Sequence, residues 1–243
     1  VLILHQRKLA QQPVLLATLL LMLLFWQGLL GKWTVTLRLH PLVVMSHLLG
    51  GFALLSVLWL LLLRLKPFHI PACTSQEEKL RPWAILGLLF IILQISLGGW
   101  TSANYAAFVC TDFPMCQGQW WPPMNFSAGF HLSFNAEQNY EGGVLSTTAR
   151  TAIQMSHRLG ALITTSYLAC LIYKLFGTRQ GSLLRRIGLI LLLLLIIQIS
   201  LGALNVLWAL PLLIAMAHNA VAALLLLSLI TLNIYLTLDK GKI

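Results

Sequence analysis

The stretch Leu189-Ile-Leu-Leu-Leu-Leu-Leu-Ile-Ile-Gln-Ile-Ser-Leu-Gly202 carries no charge, and its one amide, Gln198, is followed by a glycine four positions later. It forms the middle of the apolar run 187–207, which is long enough to cross a bilayer as a helix of about 20 residues. Its last five residues repeat Gln94-Ile-Ser-Leu-Gly98 letter for letter. The stretch therefore predicts a membrane-spanning helix that belongs to an internal repeat.

The composition of the whole chain also indicates a membrane protein. Of its 243 residues, 58% are hydrophobic and 9% are charged, and the mean hydropathy is +0.85, which leaves too little polar surface for a water-soluble domain. Arg7 and Lys8 precede the first apolar run without a small-residue cleavage site, so we interpret that run as a retained helix. The six runs that predict transmembrane helices are 13–31, 41–63, 82–100, 149–173, 187–207 and 211–237.

The charges between these runs predict the orientation. With a cytoplasmic N-terminus, most lysines and arginines lie inside, as the positive-inside rule requires. The net charge of +10 is then explained by helix anchors that face anionic lipid, and it does not indicate nucleic-acid binding. The inside group is Arg7, Lys8, Arg64, Lys66, Lys79, Arg81, Lys174, Arg179, Arg185, Arg186, Lys240 and Lys242, and the outside group is Lys32, Arg38 and Arg150.

Three histidines stand alone in apolar runs, and two of them occupy matching places in the repeat. Both copies have the spacing Q-x3-G-x15-H, from Gln27 to His47 and from Gln198 to His218. His157 lies in the run after the other glutamine copy, and all three lie about 10 Å below the outer surface at 1.5 Å per residue. A single membrane histidine is more typical of a structural hydrogen bond. Three ionisable groups at one depth are costly, and they predict haem ligation.

Two facing histidines can hold a haem along its axis. His157 and His218 form such a pair, and the small residues beside them leave room for a flat macrocycle, although such residues also serve close helix packing. His47 is left without a partner. Arg158 is either a partner for a haem propionate or an arginine that extends to the outer interface.

The long loop 101–148 lies outside the membrane in this topology. It contains Cys110 and Cys116, and an oxidising compartment predicts a disulfide between them. The alternatives are two free thiols or a metal site, although no nearby histidine pattern completes a zinc ligand set.

The repeat predicts the domain organisation. Residues 82–243 match a complete four-helix unit, and residues 1–66 match only the second half of one, with a cytoplasmic linker at 67–81. We therefore expect two further helices before Val1, and with them the partner of His47. The predicted fold is an all-α polytopic membrane protein with six transmembrane helices, which form one four-helix bundle plus half of a second, pseudo-repeated one.

Four segments together resemble haem A synthases of the CtaA type, and the similarity covers essentially the whole chain. Members of that family have eight helices in two four-helix halves. The resemblance implies a haem b held by His157 and His218, the substrate haem O on His47, and a cysteine pair that matches Cys110 and Cys116. The four segments are Pro41-Leu-Val-Val-Met-Ser-His47-Leu-Leu-Gly-Gly51, Gly98-Gly-Trp-Thr-Ser-Ala-Asn104, Met155-Ser-His157-Arg158-Leu-Gly-Ala161 and Ala217-His218-Asn219-Ala-Val-Ala-Ala223.

The resemblance implies an oxidoreductase that converts the C8 methyl group of haem O to the formyl group of haem A, for terminal oxidases, through successive hydroxylations. It points to haem O synthase and cytochrome oxidase assembly factors as partners and leaves a homo-oligomer open. The implied location is a bacterial inner membrane, in preference to a mitochondrial one, with both termini cytoplasmic. The family's proposed catalytic glutamate is expected before Val1. Its equivalent in the unit that is present is Gln154, which cannot ionise, so the catalytic residue stays unknown.

Two other functions remain open. A b-type cytochrome subunit also uses transmembrane histidines, but crossing the bilayer with electrons usually requires haems near both faces, and these histidines are near one. A haem carrier or assembly chaperone would bind the same ligand without oxidising it. The haem extracted from the protein distinguishes the three, because only a synthase yields a formyl haem.

Overall fold

Six long helices make up most of the protein. The computed structural model describes residues 14–65, 74–132 and 135–237. Within these ranges the only β-structure is one bridge between Cys116 and Gln119, which confirms the all-α prediction. Each long helix is apolar enough to span a membrane and falls on one of the six predicted runs. The helices are α1 Val14–Thr36, α2 Pro41–Leu65, α3 Ser75–Glu78, α4 Arg81–Ala103, α5 Phe126–Gly129, α6 Thr147–Phe176, α7 Leu183–Leu207 and α8 Leu212–Tyr235, with a 3-10 turn at Ala106–Val109.

Some predictions concern residues outside these ranges. Residues 1–13, 66–73, 133–134 and 238–243 are not among those described, so part of the linker 67–81, two residues of the loop 101–148 and the boundary at 66 fall outside them. The membrane orientation, the domain boundaries and the two helices expected before Val1 therefore stay predictions. The inside charges that lie outside the described ranges are Arg7, Lys8, Lys66, Lys240 and Lys242.

Serine caps determine where two of the long helices begin. The Ser146 side chain accepts a hydrogen bond from the backbone N–H of Ala149, and Ser182 accepts one from Arg185. An N-cap of this kind pairs one of the N–H groups that a helix start leaves unpaired. As a result, α6 and α7 begin a few residues before the apolar runs that predicted them.

The internal repeat extends to the backbone of two helical hairpins, α1–α2 and α7–α8. The turn of each contains a leucine in the left-handed region, Leu39 at a φ of 60° and Leu210 at 59°. Leu39 donates its N–H to the Thr34 carbonyl at 2.8 Å, and Leu210 donates to the Asn205 carbonyl, also at 2.8 Å. Both hairpins therefore use the same turn to set the register between a glutamine–glycine helix and a histidine helix.

Helices α4, α6, α7 and α8 form the predicted four-helix bundle. Each packs against two neighbours in a closed ring, so α6 lies diagonally across from α8. In the half of the bundle away from the long loop, the interior is filled with fully buried apolar side chains such as Leu171, Leu191 and Leu229. Burial of this kind stabilises by about 25 cal/mol per Å² in water and, inside a bilayer, acts through close packing.

The α1–α2 hairpin packs on the outside of this bundle. Helix α2 contacts α4 and α8, and Trp59 of α2 donates its indole N–H to the Thr231 hydroxyl of α8 at 2.9 Å. Helix α1 packs mainly against α2. Large apolar side chains of α1, including Leu21 and Phe25, are exposed on the surface of the described residues, as expected for a helix that faces lipid.

The long loop folds over the end of the bundle and also contacts the first hairpin. Trp100, at the end of α4, donates its indole N–H to the Gly129 carbonyl at 2.9 Å. Further along the loop, the Tyr140 N–H donates to the Arg38 carbonyl at 3.1 Å, and the Arg38 guanidinium donates to the Glu137 carbonyl at 3.1 Å. The loop and the α1–α2 turn therefore lie on the same face of the membrane, as the predicted topology requires.

Candidate haem-binding site

A layer of incomplete packing crosses the four-helix bundle at the depth of its histidines. On α6, for example, no residue between Met155 and Thr164 is buried, and on α8 the first buried residue is Ala222. Protein interiors are normally as densely packed as organic crystals, so this layer marks where side chains do not fill the bundle. We call it the histidine layer, and it comprises residues 92–98 of α4, 156–163 of α6, 196–204 of α7 and 212–221 of α8.

His157 is held between a glutamine and a glycine of α4. The Gln94 amide nitrogen lies 3.0 Å from His157 Nδ1 and also donates to the His157 backbone carbonyl at 3.0 Å. On the adjoining turn of α4, a methyl group added to Gly98 would stand 3.1 Å from Cε1 of the ring. The imidazole therefore lies against the α4 backbone itself, and only glycine allows that approach.

His218 has the same surroundings on the other side of the bundle. The Gln198 amide nitrogen lies 3.1 Å from His218 Nε2, and a methyl group added to Gly202 would stand 3.2 Å from Cε1. The other ring nitrogen, Nδ1, is enclosed and has no hydrogen-bond partner among the described residues. A buried ring nitrogen without a partner is costly, which indicates that something else pairs with it.

These features fit a haem. Diagonally opposite helices carry the two imidazoles, and His218 has an enclosed nitrogen without a partner among the described residues. In the described part of the chain, no three His, Cys, Asp or Glu side chains cluster, so the donor set suits two axial ligands and not a zinc site. A haem b here would be held by His157 and His218 and would supply one-electron chemistry when bound. That ligation stays a prediction.

His47 lies apart from the histidine layer. Its ring faces α1, where a methyl group on Gly31 would stand 3.4 Å from the His47 Cε1. Its neighbour Leu48 points to α4, where it contacts the position that a methyl group on Gly99 would occupy. The His47 side chain is exposed on the surface of the described residues. The structure separates His47 from the other two histidines, and haem O ligation by His47 stays a prediction.

Arg158 contacts the long loop. Its enclosed Nε has no partner among the described residues, and its role toward a haem propionate stays a prediction. Its other nitrogens donate to backbone carbonyls of the loop and so hold the loop against α6, next to His157. Their acceptors are the backbone carbonyls of Met115 at 2.7 Å, Asp112 at 3.0 Å, Pro114 at 3.4 Å and Cys110 at 3.5 Å.

The fastened part of the loop is closed by a disulfide. Cys110 and Cys116 are bonded, with their Cα atoms 4.7 Å apart, which confirms the prediction and excludes free thiols or a metal site there. Between them, the Asp112 carboxylate accepts the N–H groups of Gln117 at 2.7 Å and Gly118 at 2.8 Å. The hydrogen bond from Gly118, more than any other contact, lowers the pKa of Asp112 below its ordinary value of 3.8. Asp112 is therefore a carboxylate at neutral pH.

Sequence reasoning identified the histidines but gave no role to the glutamines. Gln94 and Gln198 marked the repeat, and nothing in it assigned them to the histidine rings. The available signal was an amide in each apolar run four residues before the glycine on which the ring packs. Gln154, the equivalent of the family's glutamate, is buried on α6, and its Oε1 is enclosed without a partner in the described residues.

Known proteins match most of this chain. Residues 1–230 match the model of the COX15-CtaA family, which is described as a cytochrome oxidase assembly protein. The chain belongs to the COX15-CtaA family. It is 47% identical over 224 residues to a Shewanella oneidensis protein named heme A synthase, and the match covers 92% of this chain and 67% of that protein.

More distant members carry the same name. A Neorickettsia sennetsu heme A synthase is 28% identical over 204 residues, which cover 82% of this chain and 57% of the relative. A Flavobacterium psychrophilum heme A synthase is 28% identical over 226 residues, 91% of this chain and 63% of the relative. The chain thus spans between about half and two thirds of these COX15-CtaA proteins. The six apolar helices and the bacterial relatives together make it a multi-pass inner-membrane protein.

Proposed function

We propose that this protein is a haem A synthase, an oxidoreductase that converts the C8 methyl group of haem O to a formyl group. The names of its relatives support the activity, because the match to the Shewanella oneidensis heme A synthase extends over 92% of the chain. The observation that supports the proposal is the histidine layer, in which opposite helices carry His157 and His218 and no residue is buried.

In this proposal the two kinds of histidine have different tasks. His157 and His218 hold a resident haem b, and the glutamine and glycine beside each ring fix its position. His47 holds the iron of haem O. Among the described residues its ring is exposed and no glutamine bonds to it, which distinguishes His47 from the two histidines of the layer. The oxidised haem A is the product that terminal oxidases require.

The remaining parts of the proposal concern the surroundings of the protein. Haem O synthase and cytochrome oxidase assembly factors are the partners proposed for substrate delivery and product transfer. The proposed membrane is bacterial, with both termini in the cytoplasm and the disulfide loop outside. A disulfide persists in an oxidising compartment, which supports that side for Cys110 and Cys116.

The His47→Ala variant tests the proposal. Cells that make haem O and express the full-length protein should accumulate haem A, detected as a formyl haem by chromatography and mass spectrometry of the extracted haems. H47A should lose this conversion and keep the low-spin haem of the histidine layer. His131→Ala, in the exposed loop, is the matched control and should behave as wild type.

Three outcomes contradict the proposal. Unimpaired haem A production by H47A removes His47 from the site. Extraction of haem b alone from the wild-type protein, in cells that make haem O, supports a b-type cytochrome. Haem O that exchanges freely and is never oxidised supports a carrier.

A further inference from the structure

The glutamines that bond to His157 and His218 are enclosed and only partly paired. Gln94 and Gln198 each place the amide nitrogen on the imidazole, and each has an enclosed Oε1 without a partner among the described residues. An unpaired amide oxygen away from water costs about 1–3 kcal/mol, so each such group calls for an explanation.

The backbone makes room for one of these carboxamides. A methyl group on Gly160, three residues after His157, would come within 2.5 Å of Gln94 Oε1. Gly98 allows the His157 ring to approach α4, and Gly160 allows Gln94 to approach α6. A glycine on each helix therefore makes room for the glutamine–histidine pair. This arrangement is specific for the pair and goes beyond ordinary small-residue packing.

A carboxamide is suited to a histidine that ligates iron. When one ring nitrogen binds the metal, the other carries the proton and needs an acceptor. Rotation of the terminal amide exchanges nitrogen for oxygen, so the same glutamine can donate to an unprotonated ring nitrogen or accept from a protonated one. The enclosed Oε1 atoms of Gln94 and Gln198 would be the acceptors for metal-bound rings, and at Gln94 the rotation also gives up the hydrogen bond from the amide to the His157 carbonyl.

The α1–α2 hairpin provides an internal comparison. Gln27 occupies the same place in the repeat, but its enclosed amide nitrogen has no partner among the described residues and is not bonded to His47. A methyl group on Gly50 would collide with this carboxamide, so the room for it is again provided by a glycine. The glutamine–histidine bond is therefore a property of the histidine layer and not of the repeat as such.

We propose that Gln94 and Gln198 are positioning residues that hold the two axial imidazoles and set the reduction potential of the haem between them. The inference rests on the proposed function in one respect, namely that His157 and His218 ligate a haem. A hydrogen bond accepted from a ligand imidazole makes the imidazole a stronger electron donor, which favours ferric iron and lowers the reduction potential.

The test is spectroelectrochemical titration of the purified protein and its variants. Gln198→Leu removes the acceptor at similar volume and should raise the midpoint potential of the low-spin haem, with haem affinity about 10–100-fold weaker. Gln198→Glu supplies a stronger acceptor and should lower the potential. The same two substitutions at Gln94 should act in the same directions. Asn205→Leu is the matched control, since Asn205 is a buried amide two turns further along α7, and it should leave the potential unchanged.

The outcomes separate this inference from the proposed function. Potentials that are unchanged in Q198L and Q94L, or that move in the same direction in the Leu and Glu variants, overturn the positioning role and leave the synthase proposal standing. A wild-type protein without low-spin haem overturns both. If Q198L does not accumulate, Q198E is compared with N205L. A lower potential in Q198E beside an unchanged potential in N205L supports the positioning role, and an unchanged potential in Q198E overturns it.

Discussion

Gly98 and Gly202 allow two imidazoles to lie directly against helix backbones. A methyl group at Gly202 would stand 3.2 Å from the His218 Cε1, closer than carbon atoms normally pack. We expect Gly202→Ala to push the ring out of line and to diminish the low-spin haem spectrum, and Gly98→Ala to do the same through His157. The optical spectrum of the purified variants, normalised to protein, is the measurement.

The control for this prediction lies in α1. Nothing lies within 4 Å of a methyl group at Gly28, so Gly28→Ala should leave the spectrum as in wild type. An unaltered haem spectrum in both G98A and G202A would show that the close approach of ring to backbone is unimportant for ligation.

Asp112 makes the disulfide loop sensitive to acid. Its pKa lies below 3.8 in the folded loop, so the stabilisation it provides is complete above the unfolded value and is lost as the pH falls through the lower, folded value. Loop order should therefore be constant from pH 7 to about 4 and decline below that. Fluorescence of the exposed Trp120 and Trp121 would report it. Asp112→Asn should remove most of the acid-dependent step, and a step of the same size in that variant would contradict the assignment.

At the scale of elements, Arg158 joins α6 to the disulfide loop. Its two strongest contacts are the Met115 carbonyl at 2.7 Å and the Asp112 carbonyl at 3.0 Å. Arg158→Lys keeps the charge but cannot reach several carbonyls at once. Loss of a charge-assisted hydrogen bond costs about 1.5–3 kcal/mol, so the Cys110–Cys116 disulfide should be reduced on the order of tenfold faster.

The rate of thiol labelling under a fixed concentration of reductant measures this effect. Arg150→Lys, two turns earlier on α6, is the control, because the Arg150 side chain makes no hydrogen bond to the disulfide loop among the described residues. Equal reduction rates in R158K and wild type would show that the four carbonyl contacts do not hold the loop.

The elements were largely predictable, because each depends on local sequence. Twenty-residue apolar runs and the Q-x3-G-x15-H spacing fix the six helices and the matching of α1–α2 with α7–α8. The contacts of Gln94, Gln198 and Arg158 were not predictable, because each joins two different elements. Which side of a helix faces its neighbour is determined by packing, and the sequence does not give it. Ser146 and Ser182 cap α6 and α7, so both helices begin a few residues before the predicted apolar runs. Hydropathy does not predict this, because it takes no account of side-chain caps.

At the scale of the whole molecule, packing divides the bundle by depth. Leucines such as Leu171 and Leu229 fill one half, and the long loop covers the other end, where Ile153 is fully buried. Between them lies the histidine layer, in which no residue is buried. The α1–α2 hairpin repeats one pair of the bundle outside it, with His47 facing α1. The same sequence pattern thus occurs in two places, and within the described ranges only the bundle has histidines on two opposite helices.

The central claim is that His157 and His218 ligate one haem in this layer. Electron paramagnetic resonance of the purified ferric protein tests it most directly, because low-spin iron with two axial imidazoles gives a characteristic spectrum. We expect that signal in the wild type and in H47A, and its loss in both H157A and H218A. Retention of the low-spin signal in H157A and H218A, or its loss in H47A alone, would contradict the account.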